Sequence, residues 1–309
     1  MKKLFFLLAI LLSALQLKAQ DTYLFAQRDT CSLYLDVFDV TPGAETTCQG
    51  VEKPAVLFVF GGGFVSGERA TDSSVEWFKI LNDNGYPVVT IDYRLGMKGY
   101  KVKKGLSGLL KAADRFKLAQ DVAVEDVYSA VAFLVENGEE IGINPDNLVI
   151  AGSSAGAITA LAAEYGIVNR TPAAAVLPEG FNFKGVMSFA GGIMSDDGAP
   201  RFKAKPCPVL FLHGTADKAV AYNKVGTLRK GLWGSNYLAR QLDKLGADYC
   251  IYRFTDRTHD VAAYMQACWS LEKDFLEKNV VQGARRVVDA TIDDSSLPSL
   301  GNLSTDDIY

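Results

Sequence analysis

Between Leu148 and Ala163 the chain reads LVIAGSSAGAITALAA: a short apolar run, a Gly-x-Ser-x-Gly pentapeptide, then a stretch of small residues. The run suits a strand and the small residues suit a helix, and only a tight turn joins the two over so few positions. Such a turn holds Ser154 on strained backbone and lifts its hydroxyl clear of the surface. Gly152 and Gly156 flank it two residues away on each side, where a Cβ would collide with the returning helix. Ala155, Ala157 and Ala160 let that helix sit close to the strand. In a chain with 28 glycines the pentapeptide alone says little; its place between strand and helix gives it weight.

Strand-like and helical segments alternate from about Tyr23 to Asn279. Tyr23–Gln27 and Ser32–Val40 suit an entry hairpin. Ala55–Phe60 (AVLFVF) and Pro87–Asp92 (PVVTID) are apolar runs of the kind that strands buried on both faces require. Gly185–Phe189, Val209–His213 and Tyr249–Phe254 are further strands. Helices are expected over Ser73–Asn84, over Val261–Lys278, and over Asp121–Asn137, where Val124, Val127, Val131 and Leu134 recur at helical spacing. This order predicts an α/β fold: a mostly parallel twisted sheet of about eight strands with helices on both faces. Gly96–Gln120 and Tyr222–Gln241 interrupt the rhythm as long connections that could shape access to a ligand, the first as a lid. No repeat or linker divides residues 20–280, which are expected to form one domain. Residues 281–309 are expected to be a mobile tail.

The formal net charge of −4 offers no electrostatic reason for a nucleic-acid partner, and the basic run from Lys98 to Lys117 reads as a solvated face. Residues 1–19 resemble a signal peptide: Lys2 and Lys3, an apolar core over Leu4–Leu15, and a small residue, Ala19, at the cleavage point. The core is too short to span a bilayer and no later segment is long and apolar enough, so the expected mature chain is exported, periplasmic or secreted, without a membrane span. Cys31, Cys48, Cys207, Cys250 and Cys268 are an odd set with no CxxC pair, read as mostly buried free thiols. With only two histidines, no metal site is expected, and nothing calls for a cofactor.

A serine hydroxyl attacks at neutral pH only with a base to take its proton. His213 ends a strand and reads as structural. His259 lies in a loop (TDRTHD) before the last helix, from which it can swing over the sheet, and is the candidate base. Asp217 follows its own strand and is the candidate acid, giving the chain order Ser154, Asp217, His259. Asp256 and Asp260 compete for that role, but adjacent residues rarely face one another's side chains. Gly61-Gly62-Gly63 directly follow an apolar strand, so Gly62 and Gly63, with Ala155 after the serine, are candidate amide donors to an oxyanion. A phosphate loop is the rival reading of those glycines, weakened because no GK[ST] follows.

Five motifs in this order, FGGGF, IDYRL, GSSAG, HGTAD and the late THD, resemble the serine carboxylesterases of the α/β-hydrolase superfamily that carry an HGGG-type loop. The resemblance spans roughly Tyr23 to Asn279 and leans toward hormone-sensitive-lipase-like and bacterial feruloyl-esterase-like members. It implies the triad Ser154, Asp217 and His259, with the oxyanion donors Gly62, Gly63 and Ala155. It further implies hydrolysis of short acyl or carbohydrate-linked acetyl or feruloyl esters. Phe60 stands where those proteins have a histidine that braces the glycine loop, which implies altered loop packing. Asp92 and Arg94 are expected to brace the sheet edge. An exopeptidase of the same superfamily is a second reading, though the extra domain such enzymes carry is not expected here. A catalytically silent binding protein is a third, resting on Phe60 alone.

Overall fold

The computed structural model describes residues 21–297. A nine-stranded sheet runs through the molecule, built from β1 (Asp21–Gln27), β2 (Ser32–Phe38), β3 (Ala55–Val59), β4 (Val88–Ile91), β5 (Leu148–Ser153), β6 (Gly185–Phe189), β7 (Val209–Gly214), β8 (Tyr249–Phe254) and β9 (Val287–Ile292). Their spatial order is β1-β2-β4-β3-β5-β6-β7-β8-β9. The β1–β2 and β2–β4 pairs are antiparallel and every later pair is parallel. The apolar runs occupy the centre: every residue of β3, β4 and β6 is buried, as strands covered by helices on both faces require. At the edges β1 and β9 are partly exposed.

Among the described residues, five α-helices accompany the sheet: α1 (Asp72–Asp83), α2 (Leu106–Ile141), α3 (Ala155–Asn169), α4 (Ser235–Leu245) and α5 (Trp269–Phe275). Thr71 starts α1 with a capping box, its hydroxyl accepting from the Ser74 amide while Ser74 Oγ accepts from the Thr71 amide. Residues of α3 are small or apolar almost throughout, and the helix lies buried against β5 and β6.

The structure departs from the expected elements in four places. Helix α2 runs for 36 residues, so most of the Gly96–Gln120 segment is helix rather than a long connection. No proline breaks it, and Leu106, Leu109 and Leu110 in its first turns are exposed, which hides the usual periodicity. The Tyr222–Gln241 segment holds an antiparallel ribbon, Lys224–Gly226 with Gly231–Gly234, that pairs with Gly192–Ser195 and leads into α4. The expected closing helix is divided into a 3₁₀ turn over His259–Ala263, helix α5, and a π-helical turn over Leu276–Val281. Finally, Val287–Ile292 of the expected tail is β9, hydrogen-bonded to β8, because its alternating side chains complete an otherwise open sheet edge. The sheet therefore has nine strands, one more than expected. The expected signal peptide and residues 298–309 lie outside the described residues.

All five cysteines are free thiols, with Cys207, Cys250 and Cys268 buried. Among the described residues, no helix is long and apolar enough to cross a membrane.

Candidate active site

Strand β5 delivers Ser154 to the turn before α3 with φ 52° and ψ −116°, a conformation that L-residues adopt only where the surroundings impose it. The Ser154 amide donates to the Phe189 carbonyl at the end of β6 (2.9 Å). A Cβ on Gly152 would strike the backbone of Gly156, as the sequence suggests. A Cβ on Gly156 would instead run into the Val59 and Phe60 carbonyls at the end of β3. The second glycine thus answers to the neighbouring strand rather than to its own helix.

His259 opens the 3₁₀ turn beyond β8, and Asp217 lies beyond β7. Their side chains meet Ser154 in one line. His259 Nε2 is 2.8 Å from Ser154 Oγ, and His259 Nδ1 is 2.8 Å from Asp217 Oδ2. All three residues are buried. The other Asp217 oxygen accepts from the amides of Ala219 and Val220 at 2.9 and 3.0 Å. Burial by itself pushes the Asp217 carboxyl up; hydrogen bonds from His213 and His259 outweigh it and hold the group at about 2. It is therefore ionised throughout the neutral range. Asp260 points elsewhere, accepting from the Tyr264 hydroxyl at 3.0 Å, and the Asp256 amide donates to Thr215 Oγ1.

Two residues outside the expected triad, His213, read from the sequence as structural, and Ser153, complete this arrangement. His213 is fully buried, and its Nε2 lies 3.2 Å from Asp217 Oδ2 and 3.0 Å from the Val220 carbonyl. Its Nδ1 is 2.7 Å from Ser235 Oγ, which in turn donates to the Gly191 carbonyl at 3.1 Å. The carboxylate thus sits between two imidazoles. The signal was present in the HGTAD run, where His213 and Asp217 are four residues apart, but the loop geometry that brings them together is not local. The other is Ser153, whose hydroxyl donates to the Ala262 carbonyl at 2.7 Å. That bond ties the serine turn to the turn carrying His259.

Gly63 and Ala155 line a hollow of about 20 Å³ together with Ser154, His259, Phe116 and Val220. Ala155 opens α3, so its amide is one of the unpaired donors at a helix N-terminus. Gly62 is not part of the lining. Its backbone, at φ 107°, forms the corner of a turn in which its carbonyl accepts from the amides of Val65 and Ser66. The loop is braced by aromatics: Phe60 stacks on Tyr93 with ring centroids 4.4 Å apart. The Tyr93 hydroxyl donates to the Phe60 carbonyl at 2.9 Å. Asp92 and Arg94 make ion pairs to other partners, Asp92 to Arg69 and Arg94 to Asp126 and Glu125.

A mostly parallel sheet, with a serine turn after β5, an acid after β7 and a histidine after β8, defines an α/β-hydrolase. The chain has the α/β-hydrolase fold, and the model of the carboxylesterase family matches its residues 13–164. Among curated proteins, it is 30% identical over 102 residues to an ethyl acetate hydrolase of Pseudomonas putida, covering 33% of this chain and 26% of that one. It is 29% identical over 161 residues to mouse neuroligin-2, covering 46% and 17%. The matched stretches thus span about a quarter or less of these relatives' lengths. A solved esterase from Thermogutta terrifontis shares the fold, with a TM-score of 0.57 at 20% identity over 85% of this chain and 93% of that one.

Proposed function

We propose that the protein is an exported serine hydrolase that cleaves carboxylic esters through an acyl-Ser154 intermediate. The observation that carries this reading is the unbroken line Ser154–His259–Asp217, with 2.8 Å at both contacts. His259 takes the hydroxyl proton as Ser154 Oγ attacks the ester carbonyl, and Asp217 stabilises the resulting imidazolium. The amides of Ala155 and Gly63, with Gly62 behind them, are the candidate donors to the tetrahedral oxyanion. His259 then gives its proton to the departing alcohol. Water, deprotonated by the same histidine, releases the acid and restores the serine.

Short acyl groups fit this reading. The hollow beside Ser154, about 20 Å³, is comparable to the room one water needs, and Phe116 closes its far side. The likeness to an ethyl acetate hydrolase points the same way. Carbohydrate-linked acetyl or feruloyl esters follow from the resemblance of the motifs, and export to the periplasm or beyond follows from the Lys2–Ala19 pattern.

A fluorophosphonate probe and a p-nitrophenyl ester series test the reading together. Labelling of the parent protein but not of Ser154→Ala, with C2–C4 esters turned over faster than long-chain ones, is expected. Equal labelling of the two proteins would overturn the acyl-serine mechanism, and faster long-chain turnover would overturn the acyl preference.

A further inference from the structure

The basic run between Lys98 and Lys117 is not simply a solvated face. A hollow of about 520 Å³ opens beside the glycine loop, between that loop, the segment joining β1 to β2, the β4–α2 connection and α2. Phe60, held flat by its stack on Tyr93, contributes an aromatic wall, and Leu33, Leu95 and Leu118 add aliphatic surface. Arg115 reaches into the same hollow from α2. Its Nε is buried without a hydrogen-bond partner, and among the described residues it makes no ion pair.

The acid and the second arginine on the lining are already committed. Asp92 is bound to Arg69, and Arg94 to Asp126 and Glu125. Lys98 stands exposed on the lining. Arg115 is therefore an unneutralised guanidinium set against apolar surface. A buried donor left unpaired is costly, and a guanidinium presents a planar fork that matches a carboxylate with two parallel hydrogen bonds.

We propose that this hollow is a binding site for a small carboxylate carrying a ring, its carboxylate on Arg115 and its ring packed against Phe60 and Leu118. The site is distinct from the Ser154 hollow but is built on the same two elements. Phe60 and Gly67 line it from the loop that also carries Gly63. Arg115 is the immediate neighbour of Phe116, which lines the catalytic hollow. The proposal does not depend on ester hydrolysis, because binding is measurable in a protein that cannot turn over.

Calorimetric titration of the Ser154→Ala protein with benzoate, and in parallel with the neutral benzyl alcohol, is the test. Saturable benzoate binding is expected, with benzyl alcohol at least about tenfold weaker. Arg115→Gln, introduced into the same protein, should weaken benzoate by about tenfold or more, in keeping with the loss of a charge-assisted pair. Its melting temperature should be unchanged. Absence of saturable benzoate binding, equal binding of the alcohol, or equal binding by a folded Arg115→Gln protein would each overturn the site. In the active protein, competitive inhibition by benzoate would identify the carboxylate as part of the ester substrate. Non-competitive inhibition or activation would identify a separate acid that acts on turnover. Failure of fluorophosphonate labelling would count against the acyl-serine reading and leave this site standing.

Discussion

Asp217 is the most heavily bonded side chain in the candidate site: two backbone amides hold one oxygen, and His259 and His213 share the other. Each bond restricts where the carboxylate can sit, and the carboxylate in turn sets the ring orientation of His259. Under the proposed mechanism, His213 is a positioning residue that acts through Asp217. Replacing it with phenylalanine keeps a ring of similar shape but removes the donor. In a His213→Phe protein that still folds, kcat should fall on the order of tenfold to a hundredfold, the scale of a small misplacement of a catalytic group. KM should change little. Steady-state kinetics with a C2 ester check this, and an unchanged kcat would show that the amides alone hold Asp217 in place.

The serine turn and the histidine turn are separate elements that must meet to within a hydrogen bond. Besides the Ser154–His259 contact, a side-chain bond ties them, and a close approach seats the serine turn against β3. The Ser153 hydroxyl bonds the Ala262 carbonyl, and the absence of a side chain at Gly156 lets α3 close onto the end of β3. In Gly156→Ala the added methyl meets two backbone carbonyls, which cannot rotate away as a side chain would. Overpacking of this kind costs on the order of 2 kcal/mol, or a fall in Tm of roughly 3–4 °C for a domain of this size. Thermal denaturation followed by circular dichroism measures it. A Gly156→Ala protein that melts with its parent would mean that the helix does not need this close approach.

At the scale of the whole molecule, two of the buried acids outside the candidate site, Glu272 and Glu164, are in no ion pair among the described residues. Glu272 accepts from Trp77 Nε1 at 2.7 Å, and Glu164 accepts from the Cys207 amide at 2.8 Å. Burial raises the Glu164 carboxyl to about 7, against an opposing hydrogen bond from the Cys207 backbone. The sign follows from proton binding. Below the ordinary value of 4.5 the group is protonated in folded and unfolded chains alike. Between 4.5 and about 7 the unfolded chain releases the proton while the folded one keeps it. Folded stability therefore declines across that window. Glu164→Gln preserves a carbonyl for the Cys207 amide and removes the ionisation. Its stability relative to the parent should rise from pH 4.5 to about 7 and then level off, as read from urea denaturation at a series of pH values. A difference that does not vary with pH would overturn this account.

The sequence by itself determined the kinds of elements and the order in which they follow one another. Buried-strand runs such as Ala55–Val59, the capped helix after Thr71 and the strand–turn–helix around Ser154 are written in neighbouring residues, because periodicity and turn chemistry act over a few positions. Motif order also singled out Ser154, Asp217 and His259, and the fold brings them into contact. What only the tertiary structure decided are the contacts between residues distant in the chain. These include the 2.8 Å approach of His259 to Ser154 across 105 positions, the place of His213 beside Asp217, and the tether from Ser153 to Ala262. The same holds for the pairing of Val287–Ile292 with β8, the exposed first turns of α2, and the unpaired Arg115 beside the glycine loop. In each case the residue type permits several local outcomes, and packing against a remote element selects one. That is how a serine between a strand and a helix comes to have a histidine, an aspartate and a second histidine in line behind it.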